Sequence, residues 1–251
     1  MEIHKTIFLV LGLVLVFALG YVSGGLLMGP QPGHDRDLLY QVSTYSALAG
    51  GAYAPVEPVR VLMGNGDLGL GTFEGLDGEM VVVDGTCYQV KSDGIARPAD
   101  PSLGVPFAAV TFFSPDITVP GIVAENLTQL DNAISARLPD PNLFYAIRID
   151  GTFPDIRVRS VPAQSRPYPP LADALTHQVV YEYHNVTGTV VGFYTPASAA
   201  GLNVVGYHFH FITTDRNRGG HVLDIAAAGD TAELDPVARY TVVYTAGDNG
   251  S

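Results

Sequence analysis

Three of the chain's seven histidines fall within fourteen residues, HFHFITTDRNRGGH, at positions 208 to 221. In a strand, residues two apart point to the same side. His208 and His210 therefore project together, while Tyr207, Phe209 and Phe211 face the opposite way. The polar, glycine-ended TTDRNRGG can reverse the chain and deliver His221 at the start of a neighbouring strand. Two imidazoles from one strand and a third from the next can occupy three corners of a tetrahedron. That leaves the fourth position for water or substrate, as a catalytic zinc site requires. Neutral imidazole also suits copper, iron or nickel.

The alternative is that these histidines merely fill polar positions on a sheet. A lone HxH fits that description, and the third histidine across a hairpin favours the metal. Two other HxH chemistries fit the spacing less well. A cupin-like oxygenase site wants Glu four residues after the second histidine, where this chain has Thr214. The α-type carbonic anhydrases take their third histidine from much further along the chain. His34, His177 and His184 lack a converging spacing, and the single Cys87 reads as a small buried hydrophobe. The glycines of GNGDLGLGTF are not followed by GK[ST], so they read as turns or close backbone packing and not as a phosphate loop.

The elements that must position this cluster are mostly strands. LLYQVSTYSALAGG, with Leu39, Val42, Tyr45 and Leu48 on one stripe, predicts a helix ended by two glycines. VRVLM, GLGTFEGL and EMVVVDGTCYQV then read as short strands, with Asp77-Gly78 and Asp84-Gly85 as turns. FAAVTFF is another strand, and ENLTQLDNAISARL a second helix capped by Asn126. FYAIRIDGTF and DIRVRSVP predict two strands around Asp150-Gly151. HQVVYEYH, GTVVGFYT, VVGYHFHFIT, HVLDIAAA and ARYTVVYT predict more. The Pro-rich PAQSRPYPPLADAL (162–175) is the candidate connection. The expectation is an α+β fold of mixed or antiparallel sheets, strand-dominated, in two closely packed halves. An N-terminal α+β half would span 36–161, and a C-terminal, β-rich half carrying the zinc site would span 162–251.

Bulk properties narrow the function. The net charge of −12 argues against a nucleic-acid partner, and one cysteine excludes an intramolecular disulfide or a cysteine-rich zinc site. Residues 1–29 stand apart: after Lys5, IFLVLGLVLVFAL is almost unbroken hydrocarbon, and the apolar run continues with little interruption to Met28. This reads as a secretory signal peptide or as an uncleaved anchor attaching residues 7–28 to a membrane. Either places the remainder outside the cytoplasm. Asn126-Leu-Thr and Asn185-Val-Thr match the glycosylation pattern, which also arises by chance.

GYHFHFITTDRNRGGHVLD resembles the zinc motif of the alpha-acetolactate decarboxylase family. The similarity extends through LYQVSTYSALAGGAY, GDLGLGTFEGLDGEMVVVDGTCYQV, VRSVPAQSRPYPPL and GTVVGFYTP, in that order and without gaps. The resemblance implies zinc-dependent decarboxylation of 2-acetolactate to (R)-acetoin and CO2, a two-domain α+β architecture and a homodimer. His208, His210 and His221 match the family's metal ligands. Thr72 and Glu79 match residues lining its site, and Arg159 matches its active-site arginine. One departure concerns the tail, from which the family brings a second glutamate. Here no Glu follows Glu233, and Asp248 is the acid near the end. A scaffold that binds metal or ligand with weakened catalysis, or a hydrolase using zinc-bound water, stay open beside the decarboxylase.

The residues suit the implied chemistry. Loss of CO2 from a 2-hydroxy-3-keto acid sends an electron pair into the ketone, and a metal can stabilise the resulting enediolate. Arg159 would orient the substrate carboxylate with its planar fork. Glu79 would manage protons, with a raised pKa if its pocket is apolar. Without the motif match, Glu79 reads as a solvated hairpin residue, Arg159 as one of a surface pair with Arg157, and Thr72 as an ordinary strand residue.

Overall fold

The structure, a computed structural model, describes residues 37–244. The chain begins with β1 (Leu38–Val42), α1 (Tyr45–Ala49), β2 (Glu57–Pro58), α2 (Val59–Leu62) and β3 (Leu68–Thr72). Then come β4 (Glu79–Val83), β5 (Thr86–Val90), β6 (Ala96–Pro98), β7 (Gly104–Val105) and β8 (Phe107–Thr111). After these follow β9 (Ile117–Ala124), α3 (Leu127–Ser135), β10 (Phe144–Ser160), α4 (Leu171–Leu175) and β11 (Val179–Thr195). The described chain ends with β12 (Gly206–Thr213), β13 (Gly219–Ile225), β14 (Ala227–Val237) and β15 (Arg239–Val243).

Seven strands form a first sheet in the order β15-β1-β8-β3-β4-β5-β6, antiparallel except for the parallel pair of β1 with β15. Six form a second, antiparallel sheet in the order β11-β12-β13-β10-β14-β9. Because β10 also pairs with β11, the strands β10 to β13 close on themselves as a ring. The fold is thus strand-dominated with mixed and antiparallel sheets, as the sequence implied.

Alternation places the core. Phe209 and Phe211 pack with Phe153, Val158 and Val222 inside the second sheet, and Leu130 and Ile134 of α3 cover that cluster. Leu70, Val81 and Val90 of the first sheet meet Val191, Phe193 and Ile212 of the second. Each such side chain contributes about 1.5–3 kcal/mol when fully buried. β3 comes unusually close to β8. A Cβ on Gly69 would lie 2.1 Å from the Ala109 carbonyl oxygen, and one on Gly71 would lie 2.4 Å from that of Phe107. The glycines of GNGDLGLGTF are therefore spent on backbone approach.

Several local expectations need correction. LLYQV is strand β1, not helix, because β8 and β15 pair with it on both sides. The helix starts only at Tyr45, capped by Thr44, whose side chain accepts from the Ala47 amide. VRVLM is not a strand: Pro58 precedes α2, and Val59 and Leu62, three apart, turn inward together. The two strands expected on either side of Asp150-Gly151 are one continuous β10, and HQVVYEYH and GTVVGFYT are one continuous β11. Gly151 stands opposite Gly188 in the ladder with extended backbone, so the pair continues instead of reversing.

The division at residues 161 and 162 does not separate the sheets. The chain crosses to the second sheet between Thr111 and Ile117 and returns to the first at Arg239. The segment 162–175 joins β10 to β11, two strands of one sheet. The leader (1–29) and Asp248 lie outside the described residues. Among the described residues, no helix is long and apolar enough to cross a membrane.

Candidate metal centre

The β12–β13 hairpin delivers the histidines. Its turn is tied by Thr213, whose hydroxyl donates to Asp215 at 2.6 Å and accepts from the Arg218 amide at 3.0 Å. His210 and His221 fall directly opposite each other in the ladder, and His208 sits two residues back on the same face as His210. Two glycines make this approach possible. A Cβ on Gly219 would lie 2.4 Å from the Phe211 carbonyl oxygen. Gly220 has φ +146°, and a Cβ there would lie 2.6 Å from the Arg159 carbonyl oxygen.

The donor nitrogens converge. His221 Nδ1 lies 3.1 Å from His208 Nε2 and 3.3 Å from His210 Nε2, and all three lie within 4.8 Å of one another. Zinc–nitrogen bonds of ~2.0–2.1 Å in a tetrahedron set nitrogens ~3.3 Å apart. The three imidazoles could hold one metal ion. Nδ1 of His210 donates to the Met80 carbonyl at 2.7 Å, which leaves the lone pair on Nε2, the nitrogen that faces the centre. Nδ1 of His208 is buried and has no hydrogen-bond partner among the described residues. Burial pushes the His208 pKa down to about 3, helped by the Arg159 charge. Burial also holds His210 and His221 well below the ordinary imidazole range, with the neighbouring histidines and Arg159 adding to it. Lowered pKa values favour the neutral imidazole, the form in which the three side chains could hold a metal ion.

The first sheet brings the acid. Glu79 opens β4 and is 6% exposed, far from the solvated hairpin residue that its Asp-Gly context suggested. One carboxylate oxygen pairs with Arg159, and the other lies 3.6 Å from His210 Nε2. Burial raises its pKa, while the Arg159 charge pulls it back down. Met80, the next residue, supplies the carbonyl that orients His210, so β4 serves both the acid and a ligand. Arg159 lies opposite His221 in the β10–β13 ladder. Its side chain is 11% exposed, whereas Arg157 is exposed, so the two arginines do not form a surface pair. Thr72 is the ladder partner of Glu79, and its hydroxyl donates to the Gly78 carbonyl at 2.7 Å.

All six predicted side chains line one cavity of about 240 Å³. The rest of the wall is largely apolar: Tyr45 and Leu48 of α1, Leu76, Phe107, Leu171 of α4 and Val204. Sequence reasoning placed Tyr45 and Leu48 on a helix stripe but gave them no part in the site.

Comparison with known proteins identifies the family. The family model for alpha-acetolactate decarboxylase matches residues 39–249. The alpha-acetolactate decarboxylase of Methanosarcina mazei is 50% identical over 199 residues, covering 79% of this chain and 69% of that protein. That of Bacillus subtilis strain 168 is 44% identical, covering 74% of this chain and 73% of its own. A crystal structure of the Bacillus subtilis enzyme superposes with a TM-score of 0.79 at 40% identity, covering 82% of this chain and 88% of that one. With the family model spanning nearly the whole described chain, and relatives this similar over most of it, the protein belongs to the alpha-acetolactate decarboxylase family.

Proposed function

We propose that this protein converts 2-acetolactate into (R)-acetoin and CO2 with the help of zinc. The observation that carries the reading is the convergence of three neutral imidazoles, one carboxyl group and one guanidinium on a single, mostly apolar cavity. The names of the relatives support the same substrate. Zinc held by His208, His210 and His221 would supply Lewis-acid stabilisation of the negative charge that builds on the ketone oxygen as CO2 leaves.

Arg159 already meets Glu79 with one nitrogen, and a guanidinium has five N–H donors in a fixed fork. The remaining donors bind and orient the substrate carboxylate. Holding Glu79 with one donor leaves fewer for the substrate and keeps that grip moderate, which matters because tight binding of the ground-state anion would oppose decarboxylation. Glu79 holds the proton that ends on the carbon vacated by CO2. Its place on one wall of the cavity suits delivery to a single face, and hence one enantiomer. Thr72 has its hydroxyl proton committed to Gly78, so toward a substrate hydroxyl it acts as an acceptor. Leu48, Leu76, Phe107 and Leu171 hold the methyl groups and keep water away. The same proposal has the chain exported through residues 1–29, whose hydrocarbon run supports it, and working as a homodimer.

Incubating the zinc-loaded protein with racemic 2-acetolactate, and following CO2 release and the handedness of acetoin, tests the reading. The R product is expected. Metal uptake without acetoin would leave a binding protein, and ester cleavage without acetoin would leave a hydrolase.

A further inference from the structure

Ser160 is the last residue of β10, and it is fully buried, as are Val158 two residues before it and Val161 directly after it. An alanine would fill the same space. A hydroxyl buried there is unfavourable unless it is hydrogen-bonded, and this one donates to the Val90 carbonyl oxygen at 2.7 Å. That bond leaves the second sheet and ends in the first. Val90 is the ladder partner of Glu79. The same carbonyl has Gly78 packed against it, with φ +88° and so close that a Cβ would lie 2.4 Å from the oxygen. The pairing of β10 with β13 stops at Arg159 opposite His221, so the strand leaves that partner just where Ser160 fastens it to the other sheet.

The contacts close a loop. Arg159 reaches across the gap between the sheets to Glu79; Glu79 pairs with Val90; Val90 accepts from Ser160; Ser160 follows Arg159 in the chain. We propose that Ser160 is a positioning residue, its bond to Val90 fixing the distance and angle at which Arg159 meets Glu79 and the substrate carboxylate. The hydroxyl touches neither substrate nor metal. It acts through Arg159, and the inference rests on the decarboxylase reading above.

Kinetics of Ser160→Ala and Ser160→Cys on 2-acetolactate test this. Cysteine is nearly isosteric and a weak donor, so it keeps the packing and weakens the bond. The expected result is a loss of kcat/KM of roughly ten-fold or more for alanine, since small misplacements of orienting groups are that costly. A smaller loss is expected for cysteine, with zinc content at the wild-type level in both. Binding of 2-hydroxyisobutyrate, a hydroxy acid with no ketone to drive decarboxylation, should weaken in step. In an Arg159→Lys background, Ser160→Ala should add almost nothing, because the fork it positions is gone. A merely structural serine would give the same further loss in both backgrounds, which overturns the proposal, as do wild-type kinetics in the cysteine and alanine variants. If alanine does not fold, the cysteine variant decides alone. A wild-type protein that binds zinc but makes no acetoin contradicts the decarboxylase reading instead.

Discussion

His210 and His221 stand opposite each other on antiparallel strands, with Nε2 of the first 3.3 Å from Nδ1 of the second. The approach depends on Gly220, whose φ of +146° and contact with the Arg159 carbonyl leave no room for a side chain. Gly220→Ala should cost about 1–3 kcal/mol of stability through backbone strain. It should also weaken zinc binding, because His221 rides on the displaced strand. Thermal unfolding and a chelator competition would read the two effects; an alanine variant with unchanged zinc affinity would separate His221 from its glycine.

Glu79 is tied to Arg159 and lies beside His210 without bonding closely to it. Glu79→Gln keeps the shape and removes the exchangeable proton. Turnover should fall by about 10²–10⁴-fold, the usual contribution of a general acid, while zinc content stays near one per chain. Steady-state kinetics beside metal analysis would show this. Wild-type rates in the variant would remove Glu79 from the reaction.

Asp84, in the β4–β5 turn, accepts from Arg148 at 2.7 Å and from Arg216 at 2.8 Å, joining the first sheet to the second. These arginines hold its carboxyl below the ordinary range. A lowered folded-state pKa contributes stability at neutral pH that is lost as pH falls through the ordinary and then the lowered value. Since Asp84 is 54% exposed, Asp84→Asn should destabilise by at most about 1 kcal/mol at pH 7. The difference should shrink in high salt and below about pH 4, with kcat unchanged. Denaturant titrations across pH would detect it.

Asp131 on α3 presents the opposite sign. One carboxylate oxygen is buried with no hydrogen-bond partner among the described residues, and burial pushes its pKa up to about 6. A raised folded-state pKa gives stability that is complete below the ordinary value and lost as pH rises through about 6. Asp131→Asn should therefore stabilise the protein at pH 8, by about 1 kcal/mol once its partial exposure is allowed for. The two proteins should converge near pH 4. Melting temperatures measured at both pH values are the check, and an equal gap at both would contradict the burial argument.

The histidine cluster was legible because a period of two and a polar reversal are local signals, written within fourteen residues. The α3 cap at Asn126 was equally local, its side chain accepting from the Gln129 amide. Glu79 and Arg159 were legible only through the motif resemblance, since their burial arises where two sheets meet. Arg157 and Arg159 share the strand alternation, yet one is exposed and the other enclosed. The β10–β13 ladder shifts register between Arg157 and Val158. LLYQV had a helical stripe, and its two strand partners come from residues 108–110 and 239–243, well out of reach of any local pattern. Ser160 left no trace in the sequence because its meaning lies in a contact 70 residues away.

The most direct test is a crystal of the zinc-loaded protein with anomalous data on both sides of the zinc absorption edge. One zinc per chain should lie ~2.0–2.1 Å from His208 Nε2, His210 Nε2 and His221 Nδ1, inside the cavity shared with Glu79 and Arg159. A fully loaded protein whose zinc lies elsewhere, with the three imidazoles bound to nothing, would contradict the account.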